Sequence, residues 1–173
     1  MLIFTDMNRC CIFMLWLAVS VTAAAQTPTA SPADDAQVRE VIARLFQGMQ
    51  KGDSTLVHSV FAHQVTMATV LRDKNNTPVL QRESSIDGFL KAVGTPHTEV
   101  WNEEIWDLKI QIDGDFAQAW CDYAFYITNT FSHCGVDAFQ LHKTKAGWKI
   151  FHLADTRRKS GCAIPAQIEQ KHK

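Results

Sequence analysis

Apolar positions recur at helical spacing through the first half of the chain and in alternation through the second, so the pattern predicts helices first and a sheet after them. Val38, Val41, Ile42, Leu45, Phe46 and Met49 stand at i, i+3, i+4, i+7, i+8 and i+11, one stripe of a helix running from Asp35 to Lys51. Asp34 or Asp35 offers the N-cap, and Gly52 supplies a left-handed stop. Asp53 or Ser54 opens a short second helix over Thr55–Phe61. Val65–Arg72 is β-branched and ends in the turn cluster Asp73-Lys74-Asn75-Asn76, with Pro78–Leu80 returning as a hairpin arm. A third helix over Ser85–Val93 takes Ser84 or Ser85 as cap, Ile86, Phe89, Leu90 and Val93 as stripe, and Gly94 as stop.

Beyond the loop Gly94-Thr95-Pro96-His97 the period changes to two. Trp106, Leu108, Ile110 and Ile112 alternate with Asp107, Lys109 and Gln111, a half-buried strand. Asp113-Gly114 is a hairpin signal; a two-residue loop there pairs Ile112 with Asp115 and sets Ala117, Ala119 and Cys121 on the face of Trp106. Asp115–Thr130, Gly135–Lys143 and Gly147–Arg158 then read as three consecutive antiparallel strands. The first far exceeds the usual length of about five or six residues, so it must bend, and β-bulges are the device that bends strands. The short link Thr144–Gly147 lays Ser132–Gly135 beside Asp155–Arg158. The predicted fold class is α+β, a highly curved antiparallel sheet wrapped around N-terminal helices.

The N-terminus changes which part of the chain can fold. Cys10–Ala25 is an apolar run ending in small residues, preceded by Arg9, the pattern of a secretory signal peptide. Its start is at Met1 or at Met7, the latter removing the opposing Asp6. The expected organisation is a signal peptide over 1–25, a flexible Pro/Ser/Thr/Ala linker over 26–34, one domain over 35–162 and a C-terminal tail over 163–173. The protein is expected to be exported, periplasmic or secreted, with no membrane span after cleavage. Lysine plus arginine number 17 against 18 acidic residues, without a basic stripe, which argues against nucleic acid as partner. Cys121, Cys134 and Cys162 remain after cleavage, too scattered for a zinc or C-x-x-C motif. Cys121 lies mid-strand among apolar residues, which leaves Cys134 and Cys162 as a candidate disulfide, the alternative being three free thiols.

The three leading helices, the segment IDGDFAQAW (Ile112–Trp120) and the terminal GWKIFHLADTRR (Gly147–Arg158) resemble nuclear transport factor 2-like proteins of the cone-shaped, cystatin-like fold. FSHCGVDAFQL (Phe131–Leu141) followed by ADTRR (Ala154–Arg158) resembles exported bacterial members called "putative lumazine-binding". The likeness spans about Asp35–Cys162. It implies a cone-shaped pocket, in a superfamily that holds isomerase-like, dehydratase and polyketide cyclase (SnoaL-like) enzymes beside members without chemistry. An isomerase-like site needs a carboxylate base facing a neutral hydrogen-bond donor in an apolar pocket. The family's base sits early in the chain, where Phe61–Leu71 holds His63, Gln64 and Thr66 but no carboxylate.

The catalytic candidates are therefore His133, Asp137 and Asp155, and the ligand-binding candidates Tyr123, Tyr126, His133, Asp155 and Arg157. Strict alternation puts Tyr123 and Phe125 on the core face with Trp106, and Asp122, Tyr126, His133 and Asp137 on the opposite face with Trp120, Phe139 and Trp148. A single bulge reverses this. No histidine pair has metal-ligand spacing, no cofactor motif is present, and no Gly-x-Ser-x-Gly elbow supports a nucleophile. An outer face carrying Trp120, Phe139, Trp148 and Ile150 predicts a homodimer. Three functions fit: an exported domain binding a small apolar or anionic ligand, an enzyme using a histidine–carboxylate pair, or a structural domain whose cone is filled by its own side chains.

Overall fold

Ser31 opens the first helix: its side chain accepts from the amide of Ala33, and Pro32 occupies the first helical position, where a missing N–H costs nothing. The computed structural model describes residues 31–173; the proposed signal peptide and most of the linker lie outside the described residues. Helix α1 (Pro32–Lys51) therefore begins three residues before Asp35, and Asp34 is not its cap. Asp34 instead accepts from Trp148 Nε1 at 3.0 Å and pairs with Lys143 at 2.7 Å. The left-handed Gly52 closes α1, and Asp53 caps α2 (Ser54–Val60) through the amide of Leu56.

Strand β1 (Phe61–Arg72) and strand β2 (Pro78–Glu83) form the hairpin, longer than the sequence pattern indicated. Helix α3 (Asp87–Gly94) starts later than expected and has no side-chain cap, because the Ser85 hydroxyl is engaged in a local turn with Asp87. Four long strands follow: β3 (Trp101–Asp113), β4 (Phe116–Ile127), β5 (Thr130–Thr144) and β6 (Gly147–Thr156). The sheet order is β2-β1-β6-β5-β4-β3, with β1 parallel to β6 and the other neighbours antiparallel. The longest strand is thus β5, since Thr128-Asn129 turns the chain earlier than the apolar run suggested.

The inner face meets the α1 stripe. Val38, Ile42 and Leu45 pack in one buried cluster with Ala117, Ala119, Cys121, Phe139, Leu141, Trp148 and Ile150. Phe139, Trp148 and Ile150 are core residues, not members of an outer patch; of the four proposed for the outer face, only Trp120 is exposed, at 52 %. The homodimer expectation loses three of its four anchors.

Irregularities of strand pairing decide which side chains enter the cone, and one at Phe151 turns Leu153 and Asp155 to the face of Trp148 and Ile150. Ile112 pairs with Ala117, not Asp115, the Asp113-Gly114 turn being shifted by one residue pair. Between Trp106 and Lys109 the β3–β4 register slips, with Asp107 at φ 52°, a β-bulge. It sends Trp106 outward opposite Asp122 and turns Ile105 and Glu103 inward, beside Tyr123 and Phe125. A second slip skips Ser132: Tyr126 pairs with Phe131, but Phe125 pairs with His133. The bending devices therefore sit in the partners of β4 and not in β4 itself. Helix α4 (Ala166–Lys171), within the expected tail, covers the outer cluster of Trp106, Ala124, Tyr126 and Cys134 through the buried Ile168. A disulfide joins Cys134 to Cys162 with Cα atoms 6.2 Å apart, and Cys121 is a buried free thiol.

Candidate functional site

The cone encloses a cavity of about 310 Å³. Its walls are apolar: Leu45, Phe46 and Met49 from α1, Met67 from β1, Phe89 from α3, and Trp101, Phe125, Ile127 and Leu153 from the sheet. At one end stand six polar side chains, Glu103, Tyr123, His133, Asp137, Asp155 and Arg157. Each is placed by strand parity. Tyr123 follows the inward series of β4, the Ser132 slip turns His133 and Asp137 inward, and Asp155 on β6 pairs directly with Asp137. This corrects the expectation that His133 and Asp137 share the outer face.

Gly135 makes the corner possible. A Cβ there would fall 1.7 Å from the carbonyl oxygen of Thr156, so only glycine admits that strand. The same carbonyl accepts from the Tyr123 hydroxyl at 2.9 Å. Next to it, Cys134 and Arg158 form an isolated antiparallel bridge, and the Val136 amide donates to Thr156 Oγ1 at 3.1 Å. Ser132–Gly135 and Asp155–Arg158 do meet, at the polar end of the cone.

Both oxygens of Asp155 are engaged. Its Oδ1 accepts from Thr69 Oγ1 at 2.5 Å, and its Oδ2 accepts from Arg157 Nε at 2.6 Å and, more loosely, from Tyr123 at 3.3 Å. Arg157 lies at the rim with its side chain 49 % exposed. Its guanidinium is held in the charged form by that hydrogen bond and by the negative charge of Asp155, which outweigh its partial burial. His133 rests on the rings of Tyr123 and Phe125 and faces Ser132 Oγ through Nδ1 at 3.0 Å. Burial, reinforced by the nearby Arg157 charge, pushes its pKa down to about 4, so it is neutral at physiological pH. The phenol of Tyr123 is pushed up by burial and by the surrounding carboxylates and stays protonated.

Asp137 and Glu103 differ from Asp155 in having no ion-pair partner; the Arg157 charge reaches them but does not offset their burial. Asp137 is 3 % exposed, and its Oδ2 has no hydrogen-bond partner. Burial and the adjacent Glu103 charge hold its pKa well above the usual carboxylate range. Glu103 is pushed up to about 7, chiefly by burial, partly opposed by the hydrogen bond it accepts from Asp137. Both carboxyls are thus raised together, so the pair keeps a proton to higher pH than free carboxylates do. Among the described residues no group of three or more His, Cys, Asp or Glu is arranged to hold a metal ion.

Of the sequence candidates, Tyr123, His133, Asp137, Asp155 and Arg157 converge. Tyr126 does not: it lies on the outer face, 4 % exposed, stacked on His172 at 3.8 Å between ring centres. Alternation from Tyr123 skips it, and α4 covers it. Glu103 lies ahead of the alternating pattern, which begins at Trp106, and so is not among the sequence candidates. Ile105 and Trp106 take opposite faces by ordinary alternation, Ile105 in the inner core and Trp106 in the outer cluster under α4, and the slip follows them.

Residues 33–152 match the family described as "Putative lumazine-binding". No protein of curated function matches the chain. Among solved structures, a nuclear transport factor 2-like protein of unknown function from Shewanella baltica is 22 % identical with a TM-score of 0.58, covering 76 % of this chain and 99 % of its own. A putative dehydratase from Streptomyces avermitilis is 16 % identical, TM-score 0.58, over 74 % of this chain and 98 % of its own. The β subunit of a putative aromatic-ring-hydroxylating dioxygenase from Novosphingobium aromaticivorans is 12 % identical, TM-score 0.61, over 75 % and 94 %. At such identities the likeness is one of fold, the nuclear transport factor 2-like, cystatin-like cone.

Proposed function

The chain belongs to the "Putative lumazine-binding" family, and from that premise we propose that it is an exported, non-catalytic domain that binds one small, largely apolar molecule in its cone. The observation that carries this reading is the amphipathic cavity: about 310 Å³ with aromatic and aliphatic walls and six polar side chains gathered at one end. Ligand sites have this composition, apolar walls for affinity and a few placed polar groups for orientation. A purely structural cone would have filled that volume with its own side chains, since cores close to crystal-like density.

Binding is tested with a neutral probe of suitable size, 4-phenylbutanol, added during thermal unfolding. A ligand held by the native state alone raises the midpoint with concentration. The variant Leu153→Trp fills the cavity from β6, and its expected cost is about 1–3 kcal/mol of overpacking with the fold retained. Wild type is expected to show the shift and Leu153→Trp to lack it. An equal shift in both, or none in either, would reject the cavity as the site.

One observation favours a second reading. Glu103, poised near neutrality beside a protonated Asp137, has the make-up of an acid–base pair. In this reading Asp155 is a positioning group, because its oxygens are occupied, and neutral His133 is a hydrogen-bond partner and not a charged acid. Exchange of an acidic C–H of a bound ketone with deuterated water would support it if the rate rose with pH through about 7 and fell at least tenfold in Glu103→Gln. No exchange above the buffer rate would remove it.

A further inference from the structure

We propose that the cone selects an apolar organic cation, a protonated amine on a hydrocarbon or aryl body, and seats its ammonium between Glu103 and Asp137. The inference deepens the binding reading above and rests on it. Three carboxyls, Glu103, Asp137 and Asp155, face a single guanidinium in this cavity. That guanidinium is already engaged, Arg157 Nε lying 2.6 Å from Asp155 Oδ2. Asp155 also takes the Thr69 hydroxyl, so both its oxygens are engaged. Glu103 and Asp137 have no ion-pair partner of their own and feel Arg157 only at a distance, and Asp137 Oδ2, on a side chain 3 % exposed that lines the cavity, has no hydrogen-bond partner outside the carboxyl pair.

A buried acceptor without a donor is costly, and the cost is removed by whatever brings the donor. An ammonium brings up to three N–H donors and the missing charge together, and charge-assisted hydrogen bonds are the stronger kind. The walls agree with this. Phe46, Phe89, Trp101 and Phe125 present aromatic rings to the same space, and ring faces attract organic cations. An anion meets the opposite field: the paired carboxyls repel it, and Arg157 is neutralised by Asp155. The anionic ligand expected from the two arginines of Asp155-Thr156-Arg157-Arg158 is therefore disfavoured.

The remaining ionisable groups around the pair are few. Strand β4 contributes the protonated Tyr123 and the buried thiol Cys121, strand β5 the neutral His133, and strand β6 the Asp155–Arg157 pair; α1, α3 and β1 present only apolar side chains to the cavity. The raised carboxyl pair retains a proton that an ammonium displaces to solvent. Amine affinity therefore rises with pH through neutrality, while alkylammonium groups, with pKa near 10, stay charged.

The test compares three probes of one length, 4-phenylbutylamine, 4-phenylbutanol and 5-phenylpentanoate, by calorimetric titration at pH 6 and pH 8 in buffers of different ionisation enthalpy. At pH 8 the amine is expected to bind about tenfold more tightly than the alcohol and the carboxylate most weakly. The amine is expected to release protons on binding and to weaken at pH 6. In the double variant Glu103→Gln, Asp137→Asn the amine-to-alcohol ratio is expected to fall to about one, with folding checked by near-ultraviolet circular dichroism. Should that variant not fold, proton release by the wild type decides. Equal affinity for amine and alcohol, preference for the carboxylate, amine binding without proton release, or a preference that survives the double substitution overturns the amine assignment while leaving the cavity as a site. Failure of every probe to bind overturns both.

Discussion

Glu103 and Asp137 store a cost in the folded state that pH reveals. Each carboxyl has a folded pKa above its unfolded value, so each contributes stability that is complete below the unfolded pKa and is lost as pH rises towards the folded one. For Glu103 that window runs from about 4.5 to about 7. Glu103→Gln cannot ionise, and it is expected to be more stable than wild type by about 2 kcal/mol at pH 8, the gain shrinking to nothing near pH 4.5. Urea unfolding of both proteins across that range checks the sign; a variant less stable than wild type at pH 8 would contradict it. Most of the polar cluster was legible in the sequence, because His133, Asp137, Asp155 and Arg157 sit on strands whose short connections force them to one sheet end. Glu103 was not, since its inward orientation depends on the left-handed backbone at Asp107, which alternation alone does not encode.

Strand parity is where the pattern of residues and the folded sheet diverge. The strands, their order and the β5–β6 juxtaposition follow from alternation and turn chemistry. The faces do not, because one extra residue reverses every side chain beyond it, and the slips at Asp107 and Ser132 each do so. The corner at Gly135 follows a stricter rule: any Cβ collides with the Thr156 carbonyl and crowds the Tyr123 ring. Gly135→Ala is expected to lose at least about 2 kcal/mol and to loosen probe binding, read from unfolding and 4-phenylbutanol titration; wild-type values in both would contradict the close approach. The Cys134–Cys162 bridge ties the segment leading to α4 onto the outer cluster. Cys162→Ser is expected to lower stability by about 2–4 kcal/mol and to raise amide exchange first around Ile168. Unchanged exchange there would show that the Tyr126–His172 stack and the Lys171–Glu104 ion pair hold α4 unaided.

The whole molecule is an open six-stranded cone with a helical plug that stops short of filling it. Helix α1 packs the narrow part with Val38, Ile42 and Leu45, while its last turns present Phe46 and Met49 to open space. On the outer face Trp120 stands among polar neighbours such as Gln111, Gln118 and Gln140, a much smaller apolar surface there than the sequence pattern implied. The most direct measurement is native mass spectrometry of the full chain recovered from its producing cell, with Leu153→Trp prepared alongside. The account predicts a small non-covalent adduct on the wild type that is lost on denaturation and absent from the variant. A bare wild-type mass, or the same adduct on both proteins, would contradict it.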